Sequence, residues 1–141
     1  MRVLFLDIDG VLIPWGKGIE PAWSKPCLEQ LDRITWATGC FIVLSSAWRF
    51  KHSVFTINHL FRGLGINAPV IALTDPSIQH REGAIMDTLK RHGDMFTQYA
   101  IVDDELLLDF PGHFFRTKSN VGLTEEIADE IISLLGSMDS K

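Results

Sequence analysis

Only two cysteines occur in the 141 residues, Cys27 and Cys40. They have no metal-type spacing and no third partner, so a disulfide framework and a cysteine metal site are both unexpected, and the two read as buried, reduced thiols. No apolar run approaches the roughly 18 residues of a membrane-crossing helix, which leaves no membrane role to expect. The apolar stretch after Met1-Arg2 is four residues long and stops at Asp7, too short for a secretory leader, so a cytoplasmic location is the default expectation. None of the five histidines has a partner at metal-ligand spacing, which argues against zinc. Positive charge is not in surplus either. The net charge of -5 makes nonspecific attraction to a polyanion a minor force, although it permits a local basic groove. Repeats, low-complexity segments and linkers are missing, and the whole chain, 1–141, reads as one domain. That length suffices to bury roughly 70% of the unfolded surface.

What the chain does have is an alternation. Val3–Leu6, Phe41–Leu44, Val70–Leu73 and Tyr99–Val102 are short apolar runs, with His113–Arg116 a weaker fifth. Such runs suit strands buried on both faces. Between them, apolar residues recur at helical spacing. Leu28, Leu31, Ile34 and Thr35 do so in Ser24–Ala37, and Ile85, Met86 and Leu89 in Arg81–His92, with Gly93 as C-cap. A further helix is expected around Val54–Leu64, ended by Gly63 and Gly65. The last, Thr124–Leu135, places Ile127, Ile131, Ile132 and Leu135 on one face behind a Thr124 N-cap and an acidic first turn. Strands alternating with amphipathic helices predict an α/β fold, a parallel sheet covered on both sides.

In such a sheet ligands sit beyond the carboxyl ends of the strands. The first strand ends in Asp7-Ile8-Asp9-Gly10, the second in Ser45-Ser46 and the fourth in Asp103-Asp104-Glu105, while Arg81 opens the helix after the third. Asp7 and Asp9 leave the strand on the same side, with Ile8 turned to the core, and Gly10 allows a tight turn or a close backbone approach. Adjacent carboxylates repel unless a cation or a shared proton offsets them, and an oxygen-preferring divalent metal such as Mg2+ is the simplest remedy. The candidate ligands are Asp7, Asp9, Asp103 and Asp104. This set suits phosphoryl transfer: Asp7 as nucleophile, Asp9 as general acid and base, Ser45 or Ser46 on the non-bridging oxygens, and Arg81 against transition-state charge.

These residues resemble, in order and content, the haloacid dehalogenase (HAD) superfamily of phosphatases and phosphotransferases. The first motif, DxDG(V/T), matches Asp7-Ile8-Asp9-Gly10-Val11. The second, an apolar strand ending in Ser or Thr, matches Phe41–Leu44 with Ser45-Ser46, where the Trp48 that follows favours Ser46. Arg81 stands for the third, and Ile101-Val102-Asp103-Asp104 for the fourth. The resemblance implies a three-layer, Rossmann-like fold with five parallel strands in the order 5-4-1-2-3. It also implies a Mg2+-dependent phosphomonoesterase working through an aspartyl-phosphate. About 35 residues lie between Asp9 and Ser46 and 34 between Ser46 and Arg81, so a large cap domain has no room. An open site suits a large phosphorylated substrate, such as a polynucleotide end or a protein phosphoester, or is closed by a second copy of the chain; nucleotide or nucleic-acid ends are the expected substrates. The Ser-Ala-Trp-Arg stretch and the Gly-Leu-Thr before the last helix are similar to small HAD domains beside nucleic-acid repair activities.

The irregular segment Leu12–Pro26 reads as a short flap, in which Trp15 and Trp23 either pack down or stack on a base. Trp48 reads as a packing anchor, Arg49 as a phosphate contact or a solvated charge, and Glu105 as a loop carboxylate. Asp109 is a candidate to assist through water. Lys51, His52 and Arg62, with Lys90, Arg91 and His92, form either a basic rim or scattered solvated charges. Two other functions fit the acidic cluster: a non-catalytic phosphate- or nucleic-acid-binding module, and a metal-dependent nuclease.

Overall fold

Four consecutive apolar residues, Val3 to Leu6, let β1 (Arg2–Leu6) be covered from both sides, and it occupies the centre of a five-stranded parallel sheet. On one side lies β2 (Phe41–Leu44), with Leu6 beside Leu44. On the other lies β4 (Gln98–Asp103), with Leu6 beside Val102. β3 (Val70–Leu73) adds outside β2 and β5 (Phe114–Arg116) outside β4, giving the order 3-2-1-4-5. This is the expected order read from the opposite edge. The computed structural model describes residues 1–137.

Strand periodicity divides the core into two layers. Leu4, Leu6, Ile42 and Leu44 pack with α1 (Lys25–Thr38), α2 (Val54–Gly63) and α4 (Glu125–Leu135) through Leu31, Ile34, Ile57, Phe61 and Ile131. Val3, Phe5, Val43 and Ile101 face the other way and pack with Ile85 of α3 (Arg81–His92). Ser24, Ser53 and Thr124 cap three of these helices by accepting from Cys27, Thr56 and Ile127 backbone N–H groups. One helix fills the interval between β1 and β2, and one helix with a short 3-10 turn (Ala47–Phe50) fills that between β2 and β3. Among the described residues no cap domain interrupts the sheet.

Three local readings differ from the sequence expectation. Pro26 belongs to the first turn of α1 rather than to the flap, a position where its missing N–H is harmless. In α3 the buried face is Ala84, Ile85 and Thr88, while Met86 is turned toward solvent. Gly93 is right-handed (φ -61°), and the chain tightens into a 3-10 turn, Gly93–Met95, that brings Phe96 edge-on to Phe5. Because α3 runs antiparallel to the strands, its last turn, with Lys90, Arg91 and His92, lies at the far edge of the sheet from Arg81. Those charges cannot share a rim with Lys51 and His52.

Candidate active site

Leu6 and Ile8 are anchored in the α1/α2/α4 layer, so Asp7 between them is directed to the α3 side, where it is only 2% exposed. Its backbone N–H donates to Val102 O (3.2 Å), which locks the end of β1 beside the end of β4. There Asp103 is fully buried. The first turn of α3 delivers Arg81 to both: its Nη1 lies 2.9 and 3.0 Å from the Asp103 carboxylate oxygens, 3.3 Å from Asp7 Oδ2 and 3.6 Å from Glu105 Oε2. Carboxylate oxygens of Asp7, Asp103 and Asp104 all come within 4.8 Å of one another. Asp104 is oriented by two donors onto its Oδ2, Ser119 Oγ at 2.8 Å and Trp15 Nε1 at 3.2 Å. Gly10, at φ +81°, passes so close to Asp104 that a Cβ there would overlap its carboxylate.

The electrostatics are unbalanced. Burial, reinforced by Asp103 and Asp104, pushes the Asp7 carboxyl up to about 9 despite the pull of Arg81. Burial also raises Asp103, to about 6, while Arg81 opposes the shift. Among the described residues Arg81 is the one cation in ion-pair contact with the cluster, with the buried Arg49 acting on Asp7 and Asp103 from behind it. That deficit of positive charge, on an all-oxygen donor set, fits a hard divalent cation held by Asp7, Asp103 and Asp104. The cluster opens into a cleft of about 410 Å³ lined by Asp7, Asp9, Trp15, Arg81, Asp104, Glu105 and Ser119.

The other expected site residues are sorted by the structure. The Asp9 side chain lines the cleft, but of the four expected ligands only Asp7, Asp103 and Asp104 bring carboxylate oxygens together. Asp9 is exposed, and its Oδ2 accepts from Trp48 Nε1 at 3.1 Å. Ser45 continues the face of Val43, the side on which Asp7 and Arg81 meet, and its buried hydroxyl has no hydrogen-bond partner. Ser46 turns the other way, and its Oγ accepts from Trp48 N at 3.2 Å, capping the 3-10 turn. The open hydroxyl is therefore that of Ser45, although the sequence favoured Ser46. Arg49 is neither of the things expected of it. It is buried and donates to four carbonyls, Ser45 and Ser46 on one loop and Ile78 and Gln79 on the other, tying the end of β2 to the approach to α3. Trp23 packs edge-on against Trp48 and Phe61, whereas Trp15 is 47% exposed at the cleft. Asp109 does not line the cleft; it neighbours Glu82 and raises its carboxyl. Ser119 was missed because nothing in the loop after β5 signals its contact with Asp104. The thiols of Cys27 and Cys40 are free and buried, as expected.

A parallel sheet of this order, with acidic pairs closing its two central strands and a cation opening the helix after the third, defines the HAD superfamily. More narrowly, residues 3–128 match the model of the HAD domain in Swiss Army Knife RNA repair proteins, and the chain belongs to that family. No curated protein and no solved structure matches it. The family and the acidic cluster together give the chain a HAD-type, phosphatase-like role.

Proposed function

We propose that the chain hydrolyses a phosphomonoester at the end of a polynucleotide, with RNA favoured by the family's description. The observation that carries this reading is the buried Asp7 carboxyl, facing the cleft among Asp103 and Asp104 and opposite Arg81. A divalent cation such as Mg2+, held by Asp7, Asp103 and Asp104, would supply the charge that ionises Asp7 and offsets the negative phosphate. Asp7 then attacks phosphorus through a carboxylate oxygen while the bond to the leaving oxygen breaks, and Asp9 gives that oxygen its proton. The product alcohol departs and the phosphoryl group stays on Asp7. Water attacks the same phosphorus, loses its proton to Asp9, and displaces Asp7, restoring both residues. Arg81, in the cleft, and the unpartnered Ser45 hydroxyl on the same side of the sheet would hold non-bridging oxygens.

The test is phosphate release from an aryl phosphate and from 3′- and 5′-phosphorylated oligonucleotides, with Mg2+, with a chelator, and with Asp7→Asn. Metal-dependent release that Asp7→Asn abolishes supports the reading. Cleavage of internal phosphodiesters without a phosphoenzyme would point to a nuclease instead, and metal binding without any hydrolysis to a binding module.

A further inference from the structure

The cleft does not end at Asp104. A second concavity, of about 380 Å³, shares Asp104 and Ser119 with it and is otherwise lined by Arg116, Thr117 and Lys118. The two halves have opposite character. The first holds Asp7, Asp9, Asp104 and Glu105 against Arg81 alone, while the second presents two exposed cations. Among the described residues neither cation is in an ion pair. Arg116 spends only its Nε, on Asp104 O at 3.0 Å, leaving both terminal nitrogens without a partner, and the Lys118 amine has none among the described residues. Asp104, the carboxylate that lines this concavity, is engaged by Ser119 and Trp15. The loop that presents these cations is held in place. The buried Thr117 hydroxyl donates to Gly10 O at 2.7 Å, and Ser119 O accepts from Trp15 N at 2.9 Å. In a chain of net charge -5, two free cations fixed against the acidic site form a local anion subsite.

We infer that Arg116 and Lys118 bind the phosphodiester next to the terminal phosphate of a polynucleotide, so that the cleft reads two successive phosphates, one cleaved and one held. This rests on the proposed function and adds to it a preference for chain ends over mononucleotides. Trp15, 47% exposed in the first concavity and bonded through Nε1 to the shared Asp104, is the aromatic side chain available to stack on the intervening base.

The experiment compares a 5′- and a 3′-phosphorylated trinucleotide, the corresponding mononucleotides, an aryl phosphate and a phosphoserine peptide across a salt series. It uses the wild type, Lys118→Gln and the double variant Arg116→Gln/Lys118→Gln. Wild type should prefer one trinucleotide to its mononucleotide by about tenfold or more in kcat/KM, as expected of a charge-assisted phosphate contact. That ratio should fall toward one in the double variant. The logarithmic salt slope should lose about 0.7 per cation removed. Binding of the same trinucleotides, labelled and followed by anisotropy on the Asp7→Asn background with Mg2+, gives a readout that needs no turnover. If no substrate is hydrolysed but the labelled trinucleotide binds through Lys118, the proposed function fails and the subsite stands. Equal rates on mono- and trinucleotide, a salt slope indifferent to both substitutions, or a phosphopeptide used as well as the best trinucleotide would each overturn the inference.

Discussion

Raising the pH of the metal-free protein ionises a carboxyl group that the fold holds against its charge. Asp7 moves from an ordinary value of 3.8 to about 9 on folding, through burial first and the neighbouring Asp103 and Asp104 second. The native state therefore keeps a proton that the unfolded chain releases, and stability falls as pH rises across that interval, by up to about 1.4 kcal/mol per pH unit. Asp103, raised to about 6, steepens the fall only in the lower part of the range. For a domain of this size about 1 kcal/mol shifts Tm by about 4 °C, so two units between about pH 6.5 and pH 8.5 should lower Tm by up to about 10 °C. Saturating Mg2+ should flatten the curve, because the cation takes over the work of the proton, and binding should release protons accordingly. Asp7→Asn removes the titrating group and should leave the metal-free protein more stable than wild type at the alkaline end. The assay is thermal unfolding in matched buffers with chelator, with Mg2+ and with the variant. The difference between wild type and Asp7→Asn isolates the one group. A difference that stays constant, or that grows in favour of wild type as pH rises, would refute the buried-cluster electrostatics on which the cation site is argued.

Trp48→Phe keeps an aromatic ring against Trp23 but removes the N–H donor to Asp9, so kcat should fall by about tenfold, more than the modest loss in Tm from the smaller ring explains, as steady-state kinetics and a melting curve would show. Gly10→Ala places a methyl group on Asp104 and strains a left-handed backbone; a loss of about 1–3 kcal/mol in denaturant unfolding should accompany a weakened metal affinity measured by calorimetry. Arg49→Met leaves four loop carbonyls without their donor, and a destabilisation of about 2–4 kcal/mol is expected from the same unfolding measurement. Trp15 donates to Asp104, so a cation bound there should change indole emission in wild type and not in Trp15→Phe.

The sequence made the sheet legible because its signals are local. An apolar run of four or five residues between amphipathic helices reads as a buried strand of a parallel sheet, and a carboxylate at its carboxyl end is then at the ligand edge by topology. The order of the strands came from the resemblance to the HAD superfamily, and that order brings Asp7 and Asp103 together beside Arg81. The residues that escaped are those whose role depends on a partner distant along the chain. Arg49 looks like a surface charge beside Phe50, and only the approach of Ile78 and Gln79 makes it a buried tie. Ser45 and Ser46 are adjacent and chemically identical. The register that sets Leu44 beside Leu6 turns Ser45 to the side of Asp7 and leaves Ser46 to cap the next turn. Asp104 is the clearest case. Read as half of an acidic pair, it is a spare ligand. In space it is the residue on which Gly10 and Trp15 of the loop after β1, Arg116 at the end of β5 and Ser119 of the loop that follows all converge. That convergence fits a carboxylate whose placement fixes both the flap and the loop after β5. Substituting it should therefore disturb the acidic cleft and the cationic one together, whereas changes at Asp103 should act on the acidic cleft, through Arg81, the cluster and the Glu105 N–H that its carboxylate accepts.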